Sequence, residues 1–398
     1  MSMSNSSPVL DAVDEPIGEG GPQHSFFERL YTGTGGFQIV GRRRLYYLIA
    51  AVLVAIAALS IGVKGFTLGI DFAGGTRIQV PASGQMTTTQ VSDVYNKALG
   101  HSPVTVQKVG SGSAASFEVR SDTLTIAQQD TVQGALFDAF HPKDSTGAES
   151  RNAISIAEIS ETWGGEITRK ALIALVVFVL LTMVYIAIRF ERDMSFAAIA
   201  SLLFNLVVTA GIYSIVGFEV TPAAVIGLLT ILGYVLYDNV VVFDKVEENT
   251  RGVLHLTRRT YGEQANLAAN QTLMRSINTT IIGILPIIGM LVIAVWLLGV
   301  GTLKDLALVQ LVGMIVGAYS SIFFAVPLLV SIKERFGPVA AHTKKVLAKR
   351  SNAATARVRE AAAERAGAIS TPVRSRDTDS GAPRPGARPS GKRHKRRH

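Results

Sequence analysis

The apolar segment that decides the fold is Thr221-Pro-Ala-Ala-Val-Ile-Gly-Leu-Leu-Thr-Ile-Leu-Gly-Tyr-Val-Leu-Tyr-Asp-Asn-Val-Val-Val-Phe243. It is long enough to cross a bilayer as a helix, because about 20 residues at ~1.5 Å each span the hydrocarbon core. Pro222 falls in the first turn, where a helix tolerates proline. Asp238 is the single acidic or basic residue of the segment. Since a charge inside a span is costly, the segment predicts a membrane helix that carries a functional group.

Five further apolar segments meet the same length criterion. They are Leu45–Val63, Ala171–Ile188, Ser195–Val216, Ile277–Leu298 and Leu303–Ile332. Of the 398 residues, 48% are hydrophobic and only 17% are charged, which argues against a soluble protein. We therefore predict a polytopic α-helical membrane protein with six transmembrane helices. Residues 45–63 form the first, an uncleaved anchor, and residues 169–336 contain the other five.

The Lys and Arg residues of the short loops predict how the chain is oriented in the membrane. They lie before the first span, between the second and third, and between the fourth and fifth, at Arg42, Arg43, Arg44, Arg189, Arg192, Lys245, Arg251, Arg258 and Arg259. Short cytoplasmic loops are the ones that carry basic residues. Both termini, including the N-terminal segment 1–44, are therefore expected in the cytoplasm.

The basicity of the chain, which has a formal net charge of +9, belongs to residues 337–398. This stretch mixes Ala, Arg, Ser, Pro and Gly, a composition typical of disorder, so we predict a disordered basic cytoplasmic tail. Its basic cluster Lys392–Arg397 favours contact with anionic lipid, at about 1 kcal/mol per basic residue near a membrane surface. No specific nucleic-acid binding is expected, because the body of the chain has no basic excess.

Residues 64–168, between the first two spans, have the pattern of a folded domain. Alternating segments and apolar helical faces predict four strands and two helices. The strands are Arg77–Pro81, Val104–Val109, Ser116–Arg120 and Ala153–Ile159, and the helices follow Thr87 and cover Thr123–Phe140. Thr87 and Gln90 fit a capping box. The order β-α-β-β-α-β predicts an exported α+β domain of the ferredoxin-like class, inserted between the first two spans.

Asp238 lies about 24 Å along its helix from Pro222, in the third of the span farthest from the inserted domain. One interpretation is a carboxylate near the interface that hydrogen-bonds a neighbouring helix. The functional interpretation is a carboxylate in a proton path, since burial favours the neutral form and a nearby cation favours the charged one. Arg275 enters the fifth span from the same side and could be that cation. Its alternative role is to reach out to lipid phosphates.

Hydrogen bonds between helices explain the other polar residues of the spans. These residues are Asn205, Asn239, Asn278, Thr279 and Gln310. Asp244, at the membrane edge, is expected to be part of a charged helix, Asp244–Arg251. Gly313, Gly317 and Ser321 are small residues four apart, a spacing that predicts a closely packed helix face, either inside the bundle or against a partner subunit.

Several catalytic signatures are missing from the sequence. It contains no Gly-x4-Gly-Lys-Ser/Thr loop, no His-Glu-x-x-His and no Gly-x-Ser-x-Gly. It has no cysteine, which excludes disulfides and thiolate metal sites. We therefore expect no enzymatic activity, no cofactor and no metal. The membrane potential is the expected energy source, at about 2.3 kcal/mol per proton per 100 mV.

Three motifs resemble the SecF members of the SecD/SecF family of protein-export membrane proteins. They are Gly69-Ile-Asp-Phe-Ala-Gly-Gly-Thr76, the span-four stretch Gly233–Asn249 and Arg275-Ser-Ile-Asn-Thr-Thr280. The resemblance implies a bacterial inner-membrane protein, related in fold to resistance-nodulation-division transporters. It implies pairing with SecD beside the SecYEG channel, together with SecA and YidC- or YajC-type subunits. Such a protein uses the proton-motive force to promote export of unfolded preproteins.

The resemblance also assigns roles to individual residues. The titrating aspartate of the family falls on Asp238 and its arginine on Arg275. Asp71, Gly74 and Gly75 are family-signature positions, for which we favour a structural role in a tight turn leaving the membrane. The sequence departs from the family pattern beside Asp238, where Tyr and Asn flank the aspartate instead of Asn and Thr.

Three hypotheses follow. The leading one is a SecF-like subunit in which protonation of Asp238 breaks or remakes an ion pair with Arg275. The second is one half of a proton-driven efflux transporter for lipid or drug, although a substrate-conducting pump would want larger exported domains. The third is a passive assembly scaffold of the translocase, in which Asp238 is purely structural.

Overall fold

The computed structural model of the protein describes residues 37–369 apart from 84, 85, 145 and 336. Within these residues, six helices are long and apolar enough to cross a membrane, as predicted. We number them span one to span six: Arg43–Lys64, Glu161–Arg189, Arg192–Val216, Pro222–His255, Tyr261–Leu297 and Leu303–Arg335. Most of the N-terminal segment, residues 1–36, lies outside the described residues.

Spans two and five begin earlier than their apolar runs. The span-two helix starts at Glu161, where the Ser160 hydroxyl accepts a hydrogen bond from Trp163 N at 3.3 Å. Span five starts at Tyr261 behind a capping box formed by Thr260 and Glu263. The sequence prediction counted only apolar residues, so it missed the polar N-terminal turns of these two helices.

Two spans contain π-helical segments, which often occur at functional sites. In span five the α-helix Tyr261–Gly289 is followed by the π-helix Met290–Leu297. In span six the π-helix Ser320–Ala325 separates the α-helices Gly301–Tyr319 and Val326–Arg335. The span-six segment contains Ser321, so the irregular turn lies at one of the small residues noted in the sequence.

Span six packs closely against span four along its small residues. A Cβ atom added at Gly313 would lie 2.7 Å from Cγ2 of Ile231, and one added at Gly317 would overlap Val235. Since no larger side chain fits at either position, the small-residue face serves packing inside the bundle. The two alternatives left open by the sequence are thereby resolved.

The inserted domain is built on a four-stranded sheet. We label its elements α1 (Ile70–Ala73), β2 (Gly75–Pro81), α2 (Thr88–Leu99), β3 (Thr105–Val109), β4 (Ser116–Ser121), α3 (Ile126–Phe140) and β5 (Ser155–Ile159), after a short β1 (Thr67–Leu68). The strand order is β3-β4-β2-β5, and all neighbours are antiparallel. The capping box of Thr87 and Gln90 is present at the start of α2, as predicted.

The two faces of this sheet differ in polarity. The apolar face packs on α2 and α3 through Ile78, Val80, Val91, Tyr95, Phe117, Val119, Val132 and Leu136. Because side chains alternate along a strand, the opposite face carries polar residues, among them Gln107, Glu118 and Arg120. Gln107 and Glu118 are cross-strand partners. The sheet therefore presents a polar surface to the rest of the molecule.

A second, two-stranded sheet joins the link after span one to the loop between spans three and four. β1 pairs in parallel with β6 (Glu219–Val220), matching Thr67 with Glu219 and Leu68 with Val220. Nearby, Lys64 Nζ donates to the carbonyl of Ile215 at 2.8 Å. The sequence analysis did not predict this connection, since two-residue strands have no periodicity to detect.

The first part of the segment after span six is helical, whereas the sequence predicted disorder. Pro338–Ile369 form a helix, which we label α4. This part is rich in alanine, the strongest helix former, between Ala340 and Ala366. The basic cluster Lys392–Arg397 lies outside the described residues.

Candidate functional site

Asp238 is buried where three spans meet, with 8% of its surface exposed. Its Oδ2 atom accepts a hydrogen bond from the Ser276 hydroxyl of span five at 2.8 Å and another from the Ser321 hydroxyl of span six. Hydrogen bonds to a carboxylate are stronger than those between neutral groups. The carboxylate of span four is therefore held by hydroxyl donors from spans five and six.

The local sequence explains how both serines reach Asp238. Ser321 continues the Gly313 and Gly317 face by one more turn, so the close approach of spans four and six brings its hydroxyl to the carboxylate. Ser276 lies one residue after Arg275 and is buried, whereas Arg275 is exposed. Sequence reasoning missed the role of both serines, although each lies in a segment that it had singled out.

Arg275 contacts the neighbour of Asp238 rather than Asp238 itself. Its Nη2 donates to the Tyr237 hydroxyl at 3.3 Å, and Tyr237 is 54% exposed. Within the part of the chain that the structure describes, no ion pair joins Arg275 to Asp238. Spans four and five are adjacent at the level of Asp238, as expected, but Ser276 rather than Arg275 donates a hydrogen bond to its carboxylate.

Asn239 and Asp244 connect span four to its other neighbours. Asn239 is fully buried, and its side-chain amide lies 3.4 Å from the Ser201 hydroxyl of span three. Asp244 forms an ion pair with Arg189 of span two at 2.7 Å. Both contacts join helices, in keeping with a structural role.

Gly74 and Gly75 lie where the link from span one, the sheet and the start of span two meet. Both have positive φ, 79° and 133°. A Cβ at Gly74 would lie 2.9 Å from Cα of Glu161, and one at Gly75 would lie 2.5 Å from the carbonyl oxygen of Ser121. Only glycine fits this conformation and this spacing. Asp71 is half-buried in α1, just before the pair.

A second polar cluster, which the sequence analysis did not find, joins the inserted domain to the bundle. Arg120 of β4 forms ion pairs with Glu219 and, at 2.9 Å, with Glu118. Gln107 donates to Glu219 at 3.2 Å and accepts from Lys304 Nζ at 2.8 Å. We call these five residues the domain–bundle cluster. Glu219 could have drawn attention as the only charged residue in a short loop.

Family comparison agrees with the motifs and the fold. The model for "Protein export membrane protein SecD/SecF, C-terminal" matches residues 142–335, and the SecD/SecF GG motif matches residues 59–86. The chain is 59% identical over 333 residues to the protein translocase subunit SecF of Mycobacterium tuberculosis, covering 84% of this chain and 75% of that one. The chain belongs to the SecD/SecF family.

Other SecD/SecF relatives extend the comparison. The SecF subunit of Streptomyces coelicolor is 41% identical over 327 residues, covering 82% of this chain and 84% of its own. The crystal structure of SecDF from Thermus thermophilus matches with a TM-score of 0.63 at 29% identity. That match covers 75% of this chain but only 39% of the SecDF chain. The conformationally restricted pair Gly74 and Gly75 falls within the matched GG motif.

Proposed function

We propose that this protein is an accessory subunit of the Sec protein translocase that acts with SecD and uses the proton-motive force to promote export of preproteins. Membership of the SecD/SecF family and the relatives named as translocase subunits support this role. The observation that carries it is the buried carboxylate of Asp238, held by two hydroxyl groups from separate spans. A charged carboxylate inside a membrane span is costly whatever its role, and such residues are typical of ion and proton pathways.

The contacts of Asp238 suggest how a proton would act. The ionised carboxylate accepts both serine hydroxyls, whereas the protonated form carries an O–H group that must itself donate. When the proton binds Oδ2, the atom that both hydroxyls contact, one of Ser276 and Ser321 has to turn its own hydrogen elsewhere. Because these serines belong to spans five and six, a change of protonation alters the contacts of both helices with span four. The π-helical segment around Ser321 offers a place to absorb that change.

Arg275 completes this mechanism as a movable counter-charge. It lies one residue from Ser276 and is bonded to Tyr237, one residue from Asp238. We propose that Arg275 pairs with ionised Asp238 in a second arrangement of spans four and five, and that the present structure is the arrangement without that ion pair. Asp238 and Arg275 together form the proposed proton relay.

The proposed function includes an orientation of the chain in the membrane. The basic loops support cytoplasmic termini and an inserted domain on the outer side of the bacterial inner membrane. The strand order β3-β4-β2-β5 supports assignment of that domain to the ferredoxin-like class. The apolar faces of spans one, two and five are largely exposed and are available to lipid and to SecD. SecYEG, SecA, YidC- or YajC-type subunits and the preprotein complete the proposed set of partners.

Asp238→Asn tests the function directly, because it removes the titrating group and keeps its shape. In membrane vesicles we expect it to abolish stimulation of preprotein export by the proton-motive force while assembly with SecD is preserved. Asp244→Asn is the matched control, since it changes a surface ion pair of the same span. Undiminished stimulation in Asp238→Asn would refute the proposal and favour a passive scaffold.

A further inference from the structure

Span three carries a row of polar side chains on one face. Ser201, Asn205, Thr209 and Tyr213 are each four residues apart, which places them one turn after another in steps of about 6 Å. Their exposed fractions are 0%, 0%, 1% and 4%. We call this row the span-three ladder. Polar groups buried in the lipid-embedded part of a bundle are unfavourable unless they have partners.

Two atoms of the ladder lack such partners. Asn205 Nδ2 donates to the carbonyl of Gly313 at 3.0 Å. Its Oδ1 atom and the Thr209 hydroxyl have no hydrogen-bond partner among the residues that the structure describes. A buried polar group of this kind is unfavourable when it has no partner. Since buried water typically bridges polar groups left without protein partners, both atoms are natural positions for it.

The ladder runs from the sequence neighbour of one buried aspartate to the backbone of another. At one end Ser201 contacts Asn239, the neighbour of Asp238. At the other end the Tyr213 hydroxyl donates to the backbone carbonyl of Asp305 at 3.0 Å. Asp305 is 8% exposed, at the start of span six. It lines a small cavity that is also lined by residues of the domain–bundle cluster.

We propose that the span-three ladder holds a chain of water molecules that conducts protons between Asp305 and Asp238 within this subunit. In each transfer a water or hydroxyl oxygen accepts a proton from one neighbour and releases its own to the next. One proton therefore leaves the chain at Asp238 for each one that enters at Asp305. The Thr209 hydroxyl relays a proton, and Asn205 orients a water. This path rests on the proposed role of Asp238 in proton coupling.

Proton flux measured in proteoliposomes tests the path, with the full chain reconstituted together with SecD and a pH gradient imposed. Thr209→Val keeps the shape but removes the hydroxyl, and Asn205→Leu removes the amide. We expect each to reduce the flux at least tenfold. Thr209→Ser restores the hydroxyl and should keep most of the flux. Thr182→Val makes the same substitution at a buried threonine of span two and should leave the flux unchanged.

The outcomes separate the path from the proposed function. Normal flux in Thr209→Val and Asn205→Leu, with flux lost in Asp238→Asn, would overturn the path and leave the function standing. Equal loss in Thr209→Val and Thr209→Ser would also overturn it, because the hydroxyl would not be what matters. Normal flux in Asp238→Asn would overturn the function itself.

The absence of cysteine from the chain provides a second measurement, which does not depend on the valine variant being well assembled. Thr209→Cys is nearly isosteric and places a thiol on the ladder. Silver ions are small and bind thiolates, so they should block proton flux in Thr209→Cys. The unsubstituted complex and Thr182→Cys should be unaffected. Flux through Thr209→Cys that silver leaves unchanged would overturn the path.

Discussion

Two buried carboxylates at opposite ends of the bundle are held by different kinds of group. Asp238 is bound by the hydroxyls of Ser276 and Ser321, and no cation touches it among the described residues. Glu219 is bound by the guanidinium of Arg120 and the amide of Gln107. A hydroxyl can donate or accept, whereas a guanidinium can only donate. The groups around Asp238 can thus form hydrogen bonds with either its protonated or its ionised form. The groups around Glu219 favour its ionised form.

The largest effect is expected from removing the cation at the Glu219 site. Arg120→Ala leaves Glu219 buried without its cation, a change that typically costs 3–5 kcal/mol, as an order-of-magnitude estimate. We expect a marked loss of thermal stability in detergent and faster proteolysis of the inserted domain. Glu149→Gln changes an exposed contact with His141 in the same domain and should change stability by less than about 0.5 kcal/mol. Similar losses in the two variants would show that Glu219 does not need Arg120.

The next effect acts on the packing that brings Ser321 to Asp238. Gly317→Ala places a methyl group against Val235 and should cost about 1–3 kcal/mol through overpacking. It should also reduce export stimulated by the proton-motive force, since span six is pushed away from span four. Gly233→Ala is the matched control, because a Cβ there meets nothing within 4 Å. Equal behaviour of the two variants would contradict the packing assigned to Gly317.

Removing single donors sharpens the description of the Asp238 site. Ser276→Ala and Ser321→Ala each take away one hydroxyl and should weaken contacts with span four by about 1–3 kcal/mol. Export stimulation should fall in both, but less than in Asp238→Asn, because one hydroxyl remains. Ser320→Ala removes a buried hydroxyl that donates to Gly317 rather than to Asp238 and should be nearly silent. A Ser320→Ala variant as defective as Ser321→Ala would mean that the effect is not specific to the carboxylate.

The smallest effect concerns a carboxylate outside both sites. Asp144 accepts hydrogen bonds from the Thr146 hydroxyl at 2.6 Å and the Thr146 amide at 2.8 Å, which lowers its pKa. Its pKa is lower in the folded state, so its stabilising contribution is present above the unfolded pKa and disappears as pH falls through the folded one. Thermal stability should therefore decline slightly less at acid pH in Asp144→Asn than in the unsubstituted protein. An identical decline would contradict this role.

Features set by nearby residues could be predicted from the sequence, and those set by distant contacts could not. The spans and the capping box at Thr87 depend on a single stretch of chain, and they are present. The serines that bind Asp238 were missed because serine is common in membrane helices, and the spacing of Ser321 indicated close helix packing rather than a partner for a carboxylate. Arg120 and Glu219 were missed because they lie on separate elements and meet only when the domain folds onto the bundle. Arg275 lies beside the neighbour of Asp238, but no sequence pattern could distinguish Tyr237 from Asp238 as its partner.

The helix of span two has a mechanical consequence for the inserted domain. It runs without interruption from Glu161, two residues after β5, to Arg189. Its 29 residues correspond to about 44 Å, which is longer than the ~30 Å hydrocarbon core of a bilayer. A tilt of this helix by about 10° about its Arg189 end would displace its Glu161 end, and the strand attached to that end, by about 8 Å.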